Sequence, residues 1–431
     1  MTEHDATDMT THEHASSRFF GHTVVRSAFV LAVFGWGIGF YSPPIFLHAV
    51  VERTGWPLQL VSMAVTLHFL LGAAVVAGLP RIHGKFGMSA TTLAGAVLLA
   101  LGVLGWATAA EPWQLFIAAA MTGAGWVTMG AAAINAIISP WFVHLRPIAL
   151  SKAYNGASIG GVIFSPLWVA LMPLMGFTLA AVLVGVCMVI VVAAIALRVV
   201  ARTPQTLGQQ PDGYRNGTGR ATVTNPHAQP LPGARLWRDR GFVTLAVTMA
   251  LSLFAQVGLL AHLYSLLAVS IDERTAGNLM ALATACAIGG RTIVVKLLSV
   301  NPDRRIVLCV SSAVQMVGST VFFFAAGEHT ALIVLGVCLF GFGIGNATSL
   351  PPLIAQVEFA KDDVARVVAL IVAISQGFYA FAPAAFGFLL ASSEVTRARF
   401  GAQAQDYLLA ALAIQAFAMT VLLVGRKSRR G

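Results

Sequence analysis

Long apolar runs recur from Ser27 to Val424, each longer than the roughly 18 to 20 residues a helix needs to cross about 30 Å of hydrocarbon. A soluble chain could not cover so many runs. At 57% hydrophobic residues against 10% charged, the polar surface needed to dissolve them is missing. In lipid, every backbone N–H and C=O must be satisfied within the protein, so runs without a strand-like period are helices. The expected spans are 24–50, 57–81, 88–109, 113–140, 147–172 and 176–200, then 241–270, 274–300, 304–326, 330–356, 365–391 and 403–425. The fold class this predicts is an all-α membrane protein with twelve transmembrane helices in two six-helix bundles.

The division into two rests on residues 201–240, rich in Pro, Gly, Thr, Asn and Arg and without apolar periodicity, which reads as a cytoplasmic linker. It separates a bundle over 23–200 from one over 241–426. Residues 1–22, with His4, His12 and His14, read as a disordered cytoplasmic tail, and 427–431 as a basic one. The bundles echo each other weakly. Gly123, Gly125 and Gly130 in the fourth span match Gly341, Gly343 and Gly345 in the tenth. Asn155-Gly156 to Pro166 in the fifth matches Gln376-Gly377 to Pro383 in the eleventh. Such repeats accompany alternating access about a midplane site.

A net charge of +10 would suit nucleic acid, but the basic residues sort by side of the membrane. One set of loops holds Arg18, Arg26, Arg81, Lys85, Arg146, Lys152, Lys296, Arg304, Arg305, Lys361 and Arg366. It also takes the arginines from Arg198 to Arg240 and the tail Arg426, Lys427, Arg429 and Arg430. The opposite loops hold only Arg53, Arg274, Arg397 and Arg399. This asymmetry puts both termini in the cytoplasm of a multi-pass protein of the inner cell membrane and makes a nucleic-acid partner unnecessary. Cys187, Cys286, Cys309 and Cys338 all fall in apolar spans with no metal or disulfide spacing.

All seventeen acidic residues fall in loops, tails or helix ends, which disfavours a cation pump or an acid-dependent drug exporter. Arg291 is the one charge inside a span, with Ala287 and Val295 one turn away on either side. Inserting a guanidinium costs about 2.5 to 3.5 kcal/mol even on a lenient scale, so an unpaired one should face a wet cavity and an anion. The bland alternative is that it caps carbonyls of a neighbouring helix. At similar depth lie Tyr41, His68, Gln256, His262, Asn346, Gln376 and Tyr379, which could ring a central cavity or merely join helices by hydrogen bonds. His48 and His262 are the candidates for exchanging a co-transported proton. Tyr41-Ser42-Pro43-Pro44 and Leu350-Pro351-Pro352 interrupt helical ladders. No metal cluster, phosphate loop or nucleophile–base pair is present, so neither an enzyme nor a cofactor is implied.

With those residues in place, 18–426 resembles the major facilitator superfamily, and within it the bacterial branch similar to monocarboxylate porters. The likeness rests on Phe40-Tyr41 through Glu52-Arg53-Thr54-Gly55-Trp56, and on Trp141-Phe142 with Arg146-Pro147-Ile148-Ala149-Leu150, Gly156, Gly160-Gly161 and Pro166. Ala261-His262-Leu263 and Gly290-Arg291 add to it. The resemblance implies that Arg291 holds a substrate carboxylate. Two departures stand out: Gly84 occupies the place of the acid in the family's gate latch, and Ala287 that of an acid before the arginine. Arg146 or Arg366 with Asp362 or Asp363 would be a substitute latch. The expectation is a transporter of a small organic anion, a monocarboxylate by the resemblance, bound by Arg291 with Tyr41, Gln256, His262, Asn346 and Tyr379. The alternatives are export of a neutral or amphipathic compound with Arg291 structural, and a receptor on a transporter fold.

Overall fold

The computed structural model describes residues 19–143, 145–211, 231, 233–300, 303–325, 329–392 and 405–426. The expected tails therefore lie almost wholly outside the described residues, as does the middle of the linker.

The first bundle begins with α1 (Gly21–Trp36), which widens to a π turn over Gly37–Tyr41 and, after Ser42, continues as α2 (Pro43–Thr54). Then come α3 (Leu58–Phe86), α4 (Met88–Thr108), α5 (Pro112–Trp126), α6 (Ala131–Ile138) and α7 (Arg146–Ile195). The second bundle holds α8 (Arg240–Ser270), α9 (Glu273–Val300), α10 (Arg304–Ala325) and α11 (Thr330–Glu358). It ends with α12 (Lys361–Tyr379), α13 (Ala382–Ser392) and α14 (Gln405–Val424). No strand occurs among the described residues. The helix ends follow local chemistry. Glu111 and Gln114 form a reciprocal capping box ahead of α5, and the Asp239 carboxylate accepts the Phe242 N–H at 2.9 Å to start α8.

Eleven helical stretches among the described residues are long and apolar enough to cross a bilayer, and the longest runs from Ile148 to Val200. That stretch is broken at Gly176, whose φ of 77° and ψ of 158° are open to a residue without a Cβ. The sequence left a short loop there; the chain instead reverses on one glycine, and each arm, 146–175 and 177–200, is long enough to span.

The expected break of the first span is real and its loose ends are tied. Pro43 has no N–H to give the Gly39 carbonyl four residues back, and His68 Nε2 fills that vacancy at 2.9 Å. Ser42 Oγ donates to the Gly37 carbonyl at 2.7 Å and accepts the Trp168 indole N–H at 2.8 Å. Pro351 and Pro352, by contrast, sit inside an uninterrupted α11.

The sequence census of basic residues needs one correction. Arg305, read as a loop residue, is 2% exposed. Its guanidinium makes two bonds to Glu358 (2.6 and 2.8 Å) and reaches Thr244 Oγ1 and the Gly241 and Leu422 carbonyls. This knot joins α8, α10, α11 and α14. Arg291 is therefore not the one buried cation.

The bundles meet along three seams: α2 on α8, α3 on α12 and α13, and α7 on α9. At the end away from the basic residues, the His48 ring of α2 stands edge-on to Tyr264 of α8 at 5.2 Å, with Nε2 4.0 Å from Glu273 of α9. The Ala384 N–H, an orphan donor of the first turn of α13, is taken by Thr66 Oγ1 of the other bundle at 3.0 Å. That end is closed.

Candidate functional site

Arg291 lies about 27 Å along α9 from Glu273, at ~1.5 Å per residue, on the face turned towards the first bundle. Its Nη2 donates across the seam to Ser158 Oγ of α7 at 2.8 Å. Ser158 is fully buried, while Arg291 is half-buried. Nε is buried without an acceptor. No carboxylate among the described residues lies within ion-pair distance of this guanidinium. A buried N–H without a partner costs about 1–3 kcal/mol, so the site is short of one acceptor.

The room for this side chain comes from α11. A Cβ placed on Gly345 would stand 2.9 and 3.0 Å from Arg291 Cγ and Cδ and nearer still to Nε. Gly345 is thus the groove in which the arginine stem lies. Sequence reading saw this glycine only as part of the repeat shared by the two bundles, since nothing local says which side chain fills the gap.

Tyr41 joins the same locus. Its ring and Thr284 of α9 both crowd the space a Cβ on Gly161 would take, and the Arg291 charge is within electrostatic reach of its phenol. From Tyr41 an aromatic chain runs to Phe40 (5.2 Å), Phe69 (5.8 Å) and, across the seam, Tyr379 (5.8 Å). Beside it a small cavity of about 10 Å³, room for about one water, is lined by Phe40, Pro43, Pro44, Val65, Phe69, Val257, Leu260 and Ala261. A polar corner at Arg291, Ser158, Thr284 and Tyr41 thus adjoins an apolar wall supplied by both bundles.

The other expected residues are engaged elsewhere. Gln256 accepts from Gln315 Nε2 at 3.1 Å, a bond between α8 and α10. Asn346 Nδ2 donates to Ser311 Oγ and to the Phe342 carbonyl, leaving Oδ1 without a partner. His262 Nε2 lies 3.0 Å from the Pro383 carbonyl; because a carbonyl only accepts, Nε2 carries the proton and Nδ1 is left bare. By the same reasoning His68 donates from Nε2, and its Nδ1 takes the Thr122 hydroxyl at 2.9 Å. The structure thus brings Arg291, Tyr41 and Tyr379 to the seam and turns Gln256, His262 and Asn346 into bonds within the second bundle. Sequence reading missed Ser158, Thr284, Phe69 and Gly345. Ser158 had a faint signal, as the hydroxyl within the small-residue run from Gly156 to Gly161.

Among the described residues, the Asp363 form of the substitute latch is not made. Gly84 has open space around it. Arg146 donates to Asn135 Oδ1 at 2.8 Å, Arg366 to the Gly233 carbonyl at 3.0 Å, and Asp363 accepts the Leu231 N–H at 2.7 Å. The Asp362 side chain lies outside the described residues.

Comparison with known proteins adds three findings. The family model described as Major Facilitator Superfamily matches residues 27–383. The MFS transporter asaE of Aspergillus flavus is 24% identical over 344 residues, covering 76% of this chain and 70% of that protein. Among solved structures, the nucleoside transporter NupG superposes with a TM-score of 0.69 at 11% identity, over 93% of this chain and 98% of that one. A bacterial homologue of the human lysosomal transporter Spinster, in an inward-facing and occupied conformation, gives 0.65 at 14%, over 95% and 97%. At such identities the structural matches speak for the fold alone.

Proposed function

This chain belongs to the Major Facilitator Superfamily, which makes it a membrane transporter and not an enzyme, and from that premise we propose that its cargo is a small organic anion, a monocarboxylate in the first instance. The observation that carries this reading is the buried, acceptor-less Nε of Arg291, beside an Nη2 held in place by Ser158. A carboxylate approaching that edge gains two parallel charge-assisted bonds from a donor fork already oriented. Tyr41 and Thr284 border the head group, and the Phe40–Phe69–Tyr379 wall suits an apolar body. Gln256, His262 and Asn346 support the site from behind rather than touching cargo. Counting the two arms of α7 separately gives twelve crossings. The basic end then faces the cytoplasm of a cell membrane.

Transport proceeds by rocking of the bundles about this locus. In the arrangement described, the His48–Glu273–Tyr264 and Thr66–Ala384 contacts close the non-cytoplasmic end, so cargo at Arg291 would exchange with the cytoplasm.

A second reading draws on the Arg291–Ser158 bond itself. A cross-bundle hydrogen bond can serve as a latch between states, leaving a neutral or amphipathic cargo, with a nucleoside a fair probe given the NupG likeness. Uptake of labelled monocarboxylates into proteoliposomes separates the two, with wild type beside Arg291→Lys and Arg291→Gln and with or without an inward proton gradient. Saturable uptake lost in both variants is the expected result. Nucleoside uptake that survives Arg291→Gln would sink the anion reading, and gradient dependence decides proton coupling.

A further inference from the structure

The linker end that precedes α8 is not a free strand. Its Leu231 N–H is held by the Asp363 carboxylate and its Gly233 carbonyl by Arg366, both on the first turns of α12. Between them and α8 the chain makes a 3-10 turn over Gly233–Arg238 in which Leu236 is fully buried. A pinned turn with one apolar anchor has a fixed outward face. That face carries Arg235, Trp237 and Arg238, all exposed, with Trp237 at 53%.

Its level relative to the membrane follows from what it touches. The Trp237 ring stands edge-on to Phe242 at 5.4 Å, on the first turn of a membrane-spanning helix. This is the height at which tryptophans form the interfacial belt. The acids of this corner whose side chains are described are already engaged: Asp239 with the Phe242 N–H, Asp363 with Leu231, Glu358 with Arg305, and Asp303 with Arg426. Arg240 donates to the Val424 carbonyl. Arg235 and Arg238 are left with two guanidinium forks facing the lipid headgroup layer and no carboxylate among the described residues to meet them.

We propose that Arg235, Trp237 and Arg238 form a binding site for the headgroup of an anionic phospholipid at the basic end of the second bundle. The phosphodiester takes the guanidinium forks, and the indole sits at the glycerol level beside Phe242. Because the turn is strapped to both α8 and α12, a bound lipid braces two of the helices that face the first bundle.

The test uses the full-length protein, delipidated and titrated with phosphatidylglycerol or phosphatidylcholine while retained lipid is read by native mass spectrometry. Wild type should retain phosphatidylglycerol selectively. The double variant Arg235→Gln/Arg238→Gln should bind it about thirty-fold more weakly, two charges at about 1 kcal/mol each. Arg235→Lys/Arg238→Lys should recover part of the loss, and Arg274→Gln, an exposed arginine at the other end, should change nothing. Equal retention of both lipids by wild type would overturn the site without recourse to any variant. So would unchanged binding in the double glutamine variant. Equal competition by soluble glycerol phosphate would make it a free-phosphate site instead.

Discussion

Replacing Gly345 by alanine adds one methyl group and no charge, yet it strikes at the arginine. The new Cβ would enter the groove where the Arg291 stem lies, 2.9 Å from Cγ and 3.0 Å from Cδ and closer to Nε. The Gly345 backbone is held within α11, so the flexible side chain must give way. Moving it breaks the 2.8 Å bond to Ser158 and turns the fork away from its set direction. A hydrogen bond to a charged group contributes about 1.5–3 kcal/mol, so affinity for an anionic cargo should fall about ten- to hundred-fold. Alanine is also the better helix former by about 1 kcal/mol, which offsets part of the lost bond, so thermal stability should fall by less than the affinity does. Gly289→Ala is the matched control, with nothing within 4 Å of its added Cβ. The assay is substrate-dependent tryptophan quenching or uptake KM in proteoliposomes, beside a melting curve of each purified variant. Wild-type KM in Gly345→Ala would refute the claim that the groove orients the site. A fall in melting temperature matching the fall in affinity would instead mean that α9 and α11 had separated.

Three further outcomes are expected. Glu358→Ala leaves the Arg305 guanidinium buried without its counter-charge; breaking such a pair costs about 3–5 kcal/mol when buried, and with Glu358 23% exposed about 2–4 kcal/mol is expected, read as a lowered melting temperature that Glu358→Gln partly restores. At Asp303, partial burial raises the carboxyl's pKa, but Arg426 and the Ile306 and Arg305 N–H groups outweigh it and hold it below the usual carboxylate range. The stabilisation is therefore full above the ordinary aspartate value and is lost as pH falls through the depressed one. Asp303→Asn should lower the melting temperature at neutral pH and cease to matter in strong acid; a pH-independent difference would show that charge is not involved. Thr66→Val removes the cross-bundle acceptor of the Ala384 N–H, so a cysteine pair placed on α2 and α8 should crosslink more slowly than in wild type.

Much of this architecture is legible one helix at a time, because lipid imposes length and apolarity on every span independently of its neighbours. Composition and charge asymmetry alone call for a helical membrane protein, and the span boundaries fall within a few residues of the observed helices. Arg291 is equally visible, since a lone cation in an apolar run is conspicuous whatever surrounds it. What Arg291 does with its donors is a different matter. Ser158 lies on another bundle and Gly345 on another helix, and no periodicity connects residues 158, 291 and 345. Polar residues of similar depth, such as Gln256 and Asn346, look alike in sequence because depth fixes only their height along a helix. Their rotation towards Gln315 and Ser311, rather than towards the seam, is set by helix packing. Arg305 shows the converse, a residue at a helix end that sequence assigns to water and four converging helices enclose. The sequence by itself determined that the chain lives in a bilayer as packed helices and which cation is out of place there. Only the tertiary structure decided which polar groups face one another, because azimuth and cross-bundle distance arise from contacts between segments far apart in the chain.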